Sequence, residues 1–112
     1  MSKRPVNLLL DDICQAIGRI EEYTTGMSFD AFSRDQKSVD AVARNFEIIG
    51  EAANRLSDDF KISHPSVEWH KIIGLRHRII HEYFGVDIAI VWQIIQKDLP
   101  SLRHALSKIH DN

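Results

Sequence analysis

Apolar residues along the chain recur at helical spacing, and no stretch alternates as a half-buried strand would. Val6, Leu9, Ile13, Ile17 and Ile20 form one stripe, which predicts a first helix from about Val6 to Tyr23, stopped by Thr24-Thr25-Gly26. Met27 to Ser33 reads as a connection with room for a short helical turn around residues 28–33. Val39, Val42, Phe46, Ile49, Ala53, Leu56 and Phe60 alternate steps of three and four, a seam that predicts a second helix ending between Asp58 and Ile62. Ser63-His64-Pro65-Ser66 reads as a linker, with Ser66 as N-cap of a third helix running from about Val67 to Tyr83 and ending at Gly85. Asp87 is suited to cap a fourth helix, whose stripe of Ile88, Trp92, Ile95, Leu99, Leu102, Leu106 and Ile109 keeps its phase through Pro100. A kink or short break near Pro100 is therefore expected, without a change of direction. Four helices with short connections describe an all-α, up-and-down four-helix bundle.

With 112 residues, the expectation is one domain spanning 1–112. A 44% hydrophobic and 27% charged composition argues against disorder. Apolar runs such as Ile88–Trp92 are too short to span a bilayer, and the N-terminus lacks the apolar core of a signal peptide. A single cysteine, Cys14, falls among helical apolar positions and reads as a small core residue of a reduced, cytoplasmic protein. The net charge of −2 excludes a generally basic nucleic-acid coat, so any RNA contact needs a local patch. Trp69 and Trp92 lie in phase with their stripes and read as packing residues. Gly50 and Gly74, inside predicted helices, cost about 1 kcal/mol each relative to alanine. Close packing within the chain or a subunit contact would justify that cost.

The predicted third helix carries the candidate chemistry. At about 100° per residue, Trp69, Ile72, Leu75, Ile79 and Ile80 form its apolar stripe, with Arg76 and Tyr83 inside it. His70, Gly74, His77 and His81 line the opposite side, flanked by Lys71 and Arg78. Each feature has a plain alternative. Arg76 is read equally as a structural arginine paired with Glu47 or Glu51. The histidine row by itself reads first as a solvated face, and Tyr83 first as an amphipathic helix end with its hydroxyl in water. His77 and His81 have the i, i+4 spacing of a metal pair, but no third ligand stands at suitable spacing and there is no HExxH pattern.

Arg76-His77-Arg78-Ile79-Ile80-His81-Glu82-Tyr83 is an R-x4-H-x-Y sequence. It resembles the signature of HEPN-fold ribonucleases, specifically the HepT-like toxins of bacterial and archaeal toxin–antitoxin pairs. The resemblance extends through Arg44–Leu56, Trp69–Arg76, Tyr83–Asp87 and the Trp92 region with Asp98-Leu99-Pro100, nearly the whole chain. It implies a HEPN-like bundle that forms a homodimer, with two motif copies meeting in a cleft at the subunit interface. It further implies metal-independent endoribonuclease activity on RNA without a cofactor. The implied partner is a nucleotidyltransferase (MntA-like) antitoxin that transfers AMP to the motif tyrosine, Tyr83.

These residue types suit that reaction. Histidine titrates near neutral pH, which makes His81 the candidate acid or base. Arg76 is the candidate phosphate-binding group, and His77 a supporting one. On an ideal helix Arg76 and His81 stand about 140° apart. Pairing Arg76 of one protomer with His81 of the other resolves this, as does unwinding of the last turn near Gly85. Two rival functions stand beside the nuclease. One is a non-catalytic helical dimer that binds a nucleotidyltransferase or a nucleotide; the other is a metal-binding bundle using His77 and His81.

Overall fold

Helix α1 spans Val6–Thr24 and buries Leu9, Ile13, Ile17 and Ile20 of the predicted stripe, while Val6, at its first position, stays exposed. It is the first element of a computed structural model that describes residues 4–81 and 85–109, and only the backbone at His81. Helix α2, Phe29–Arg34, fills the expected connection; the Ser28 hydroxyl accepts from Ala31 N–H and starts it. Its buried Phe32 stacks against Trp92, ring centres 5.3 Å apart. Helix α3, Gln36–Arg55, begins at Asp35, whose carboxylate accepts from the Ser38 N–H and hydroxyl. Those bonds lower the Asp35 pKa, the hydroxyl contact most.

The second predicted helix is two. Leu56 is extended (φ −66°, ψ 143°), and the Ser57 hydroxyl accepts from Phe60 N–H to start α4, Asp58–Ser63. The seam persists across this break because Leu56 stays buried while Phe60 packs half-buried against the core. The linker is held by Trp69, whose indole N–H donates to the His64 carbonyl at 3.0 Å. Trp69 thus serves as packing residue and tie at once.

The third predicted helix is also divided. Helix α5 spans Trp69–Ile73 and α6 spans Leu75–Ile79, with Gly74 between them (φ −83°, ψ 4°). Helix α5 starts at Glu68 without a side-chain cap, so Ser66 is not its N-cap. Helix α6 stops at Ile79, short of the predicted Tyr83. Ile80 is extended, and β1, Ile80–His81, pairs antiparallel with β2, Gly85–Val86, placing Ile80 opposite Val86 and His81 opposite Gly85. Adjacent β-branched Ile79 and Ile80 favour this exit. Gly85 takes φ +74° in the return, and the Asp87 N–H captures the Ile79 carbonyl at 2.7 Å.

Asp87 caps α7, Ile88–Gln93, its carboxylate accepting from Ile90 N–H. The chain continues through a π-helical stretch, Ile94–Asp98, into α8, Leu99–Ser107. Leu99 N–H reaches the Ile94 carbonyl, and the ring of Pro100, which has no N–H, follows directly. Proline would crowd the carbonyl four residues back in a regular α-helix, and the wider turn relieves that clash. Ile94, Ile95, Leu99 and Leu106 all remain buried, so direction is kept as expected.

Four rods result: α1, α3, α5 with α6, and α7 through α8. Helix α1 packs along α3, α3 is crossed by α5 and α6, and α8 returns to α1. Arg103 of α8 grips Glu21 of α1 in a two-point ion pair, at 2.9 and 2.6 Å. A Cβ on Gly50 would stand 3.1 Å from the Ile72 carbonyl, so this glycine permits the crossing of α3 by α5 within one chain. Cys14 is half-buried against the core, and burial pushes its thiol pKa up. Among the described residues no helix is long and apolar enough to cross a membrane.

Candidate active site

Arg76 stands on α6 between Leu75 and Ile79, which are the side chains that helix buries. The break at Gly74 makes α6 a one-turn piece anchored by those two apolar residues, and Arg76 faces outward, with 67% of its side chain exposed. Its expected place inside the apolar stripe is therefore corrected. The stripe assumed one unbroken helix from Trp69; the chain buries Leu75 and Ile79 instead.

The guanidinium opens onto a cleft whose other wall is the outward face of α3. Arg44, Glu47, Glu51 and Arg55 step along that face by three and four residues, and Asp12 of α1 closes one side. Arg76 Nε lies 3.8 Å from Glu47 Oε2, with Glu47 34% exposed. Glu51 pairs instead with Arg55 at 3.2 Å. Both sequence readings of Arg76 thus meet in one geometry: a carboxylate of α3 is its neighbour, but the contact is long and wet. Such pairs contribute about 0–1 kcal/mol, whereas a phosphate offers the planar fork two charge-assisted bonds at shorter range.

His77 is exposed on α6 and makes no hydrogen bond or ion pair with the described residues. Its neighbour Arg78 turns to the π-helical stretch, where its guanidinium meets Asp98 at 3.1 Å and ties α6 down. His81 lies two residues past the end of α6, in β1. Three expectations change with it. His77 and His81 do not form an i, i+4 pair on one helix, so the spacing that suggested a metal pair is not realised. His70, Gly74, His77 and His81 do not share one continuous helical face. The 140° separation between Arg76 and His81 does not apply either, because the last turn is unwound before His81, earlier than the expected point near Gly85. Tyr83 lies outside the described residues. No group of three His, Cys, Asp or Glu side chains placed to hold a metal ion occurs among the described residues.

The polar lining contributed by α3 is what sequence periodicity passes over, since it reads as the solvated back of a core helix. The signal that marks it is the in-step series Arg44, Glu47, Glu51, Arg55, two carboxylates flanked by two arginines, opposite Arg76.

A family model described as ribonuclease HepT-like matches residues 13–109, which include the entire Arg76–Tyr83 motif. A protein of Thermococcus cleftensis named "Probable ribonuclease HepT" is 41% identical over 107 residues, covering 96% of this chain and 97% of that one. A Methanocaldococcus jannaschii protein named as a putative RNase is 37% identical, over 92% of this chain and 94% of its own. A third, from Caldanaerobacter subterraneus subsp. tengcongensis and likewise named as a putative RNase, is 39% identical, covering 89% of each chain. No solved structure matches. With a motif arginine exposed in a cleft and a family match over most of its length, the chain belongs to the HepT-like ribonucleases.

Proposed function

We propose that this ribonuclease is a toxin that cuts RNA internally, without a metal ion, as a homodimer. Arg76 of one protomer and the partner's His81 act on one phosphodiester in a cleft at the subunit interface. The observation that carries the reading is the state of Arg76: an exposed guanidinium on a cleft wall, held among the described residues only by a 3.8 Å contact to Glu47, within the R-x4-H-x-Y motif of a HepT-like chain.

Without a metal ion, the nucleophile in this mechanism is the RNA's own 2′-hydroxyl. A base takes the proton from a ribose 2′-hydroxyl, and the oxygen attacks the adjacent phosphorus. The bond to the 5′-oxygen breaks, and that oxygen receives a proton. The products are a 2′,3′-cyclic phosphate and a 5′-hydroxyl. His81 exchanges protons in this sequence, since an imidazole works in either direction near neutral pH. Arg76 binds the non-bridging oxygens and stabilises the charge that grows on them. His77, exposed on the same short helix, supports the phosphate.

The partner that silences the toxin is a nucleotidyltransferase antitoxin. The Tyr83 hydroxyl attacks the α-phosphorus of ATP, loses its proton, and releases pyrophosphate. A phosphodiester-linked AMP, negatively charged and bulky, then stands close in sequence to both motif groups and competes for the place of the substrate.

Incubating the purified protein with RNA, with and without chelator, tests the proposal. Cleavage that persists with chelator and leaves cyclic-phosphate ends is the expected result; the same toxin treated with antitoxin and ATP should gain the mass of one AMP and lose activity. Intact RNA would favour the non-catalytic dimer, and cleavage only with added metal would contradict the mechanism.

A further inference from the structure

We propose that Arg44 is a second phosphate-binding residue, holding the RNA backbone next to the phosphate that Arg76 grips. The inference rests on the RNA-cleaving function argued above, and a balance of charges carries it. The cleft is lined by three guanidinium groups, Arg44, Arg55 and Arg76, and by three carboxylates, Asp12, Glu47 and Glu51. Glu47 meets Arg76 at 3.8 Å and Glu51 meets Arg55 at 3.2 Å. Asp12 is taken from outside the lining by Arg4, in a two-point pair at 2.7 and 2.9 Å. Arg44 is thus the one cation of the lining with no hydrogen bond or ion pair among the described residues.

Its position suits an adjoining phosphate. Arg44 is exposed and stands one turn before Glu47 on the same face of α3, about 4.5 Å along the helix axis. It therefore flanks the point where Arg76 reaches α3. The chain's net charge of −2 gives RNA no general attraction, so an uncompensated guanidinium inside the cleft is worth more here than on a basic protein. Backbone contacts of this kind fix register and affinity and carry no sequence information.

The test uses a fluorescent single-stranded RNA, with binding followed by anisotropy across a salt series for the wild-type protein, Arg44→Gln and Arg44→Lys. Arg44→Gln should weaken binding roughly three- to tenfold and reduce the log Kd against log salt slope by about 0.7, the value for one phosphate contact on a single strand. In turnover the loss should fall on KM more than on kcat, and Arg44→Lys should recover the slope because it keeps the charge. Sedimentation should give the same oligomeric mass for all three. Unchanged affinity and slope for Arg44→Gln would overturn the proposal, as would a loss of affinity accompanied by a change in oligomeric mass. A wild-type protein that binds RNA without cutting it leaves the Arg44 assignment decided by the slope and defeats only the cleavage mechanism. A wild-type protein that binds no RNA defeats both.

Discussion

Replacing His81 with alanine is expected to slow RNA cleavage by about 10²–10⁴-fold, the range for loss of a positioned acid or base. Secondary structure and subunit mass should stay as in the wild type. The reason for expecting an intact fold is local. The pairing of β1 with β2 is made by backbone, Ile80 opposite Val86 and His81 opposite Gly85, and the Asp87 N–H independently satisfies the Ile79 carbonyl. None of these bonds needs the imidazole. Single-turnover rates, circular dichroism and sedimentation together check the prediction. A variant that folds, associates and still cuts at the wild-type rate would remove His81 from the mechanism.

Arg76→Ala should lower kcat/KM by about 10²–10³-fold, the loss seen when one group that stabilises transition-state charge is removed. The same change should cost about 0–1 kcal/mol of stability, because its partner contact is 3.8 Å long and the side chain is 67% exposed. That contrast separates the two readings of the residue. A structural arginine would show the reverse, a large stability loss with activity following from misfolding. Arg76→Lys should recover little, since an ammonium lacks the planar fork that meets two phosphate oxygens at once. Thermal melts beside initial rates on one RNA substrate measure both quantities.

Much of the fold is legible in the sequence because its core is built from long, regular stripes. Helix α1 runs Val6–Thr24 against an expected Val6 to Tyr23, and Asp87 caps α7 as its place before Ile88 suggests. The breaks are less visible because apolar period survives them. Leu56 remains buried after α3 has ended, and Leu75 and Ile79 continue the spacing of Trp69 and Ile72 across Gly74. Periodicity registers which side chains are buried, and it is blind to a single extended residue between two such positions. What marks these breaks is local: a serine able to cap at Ser57, a glycine at Gly74, and the β-branched pair Ile79-Ile80 followed by Gly85. The same blindness misplaced Arg76. Read on one continuous helix it falls within the apolar stripe; on a one-turn helix pinned by Leu75 and Ile79 it turns outward onto the cleft. The motif itself was legible as residues, but the cleft was not, because its second wall comes from α3, some thirty residues earlier in the chain.

The most direct test of the mechanism combines the two disabled chains. Arg76→Ala and His81→Ala protomers, carrying different affinity tags, are mixed, and the hybrid dimer is isolated through both tags. If each active centre joins Arg76 of one protomer to the partner's His81, the hybrid holds one intact centre and one doubly impaired one. It should then recover about half the wild-type rate of RNA cleavage with chelator present, far above either parent. A hybrid as inactive as its parents would contradict a centre shared between subunits.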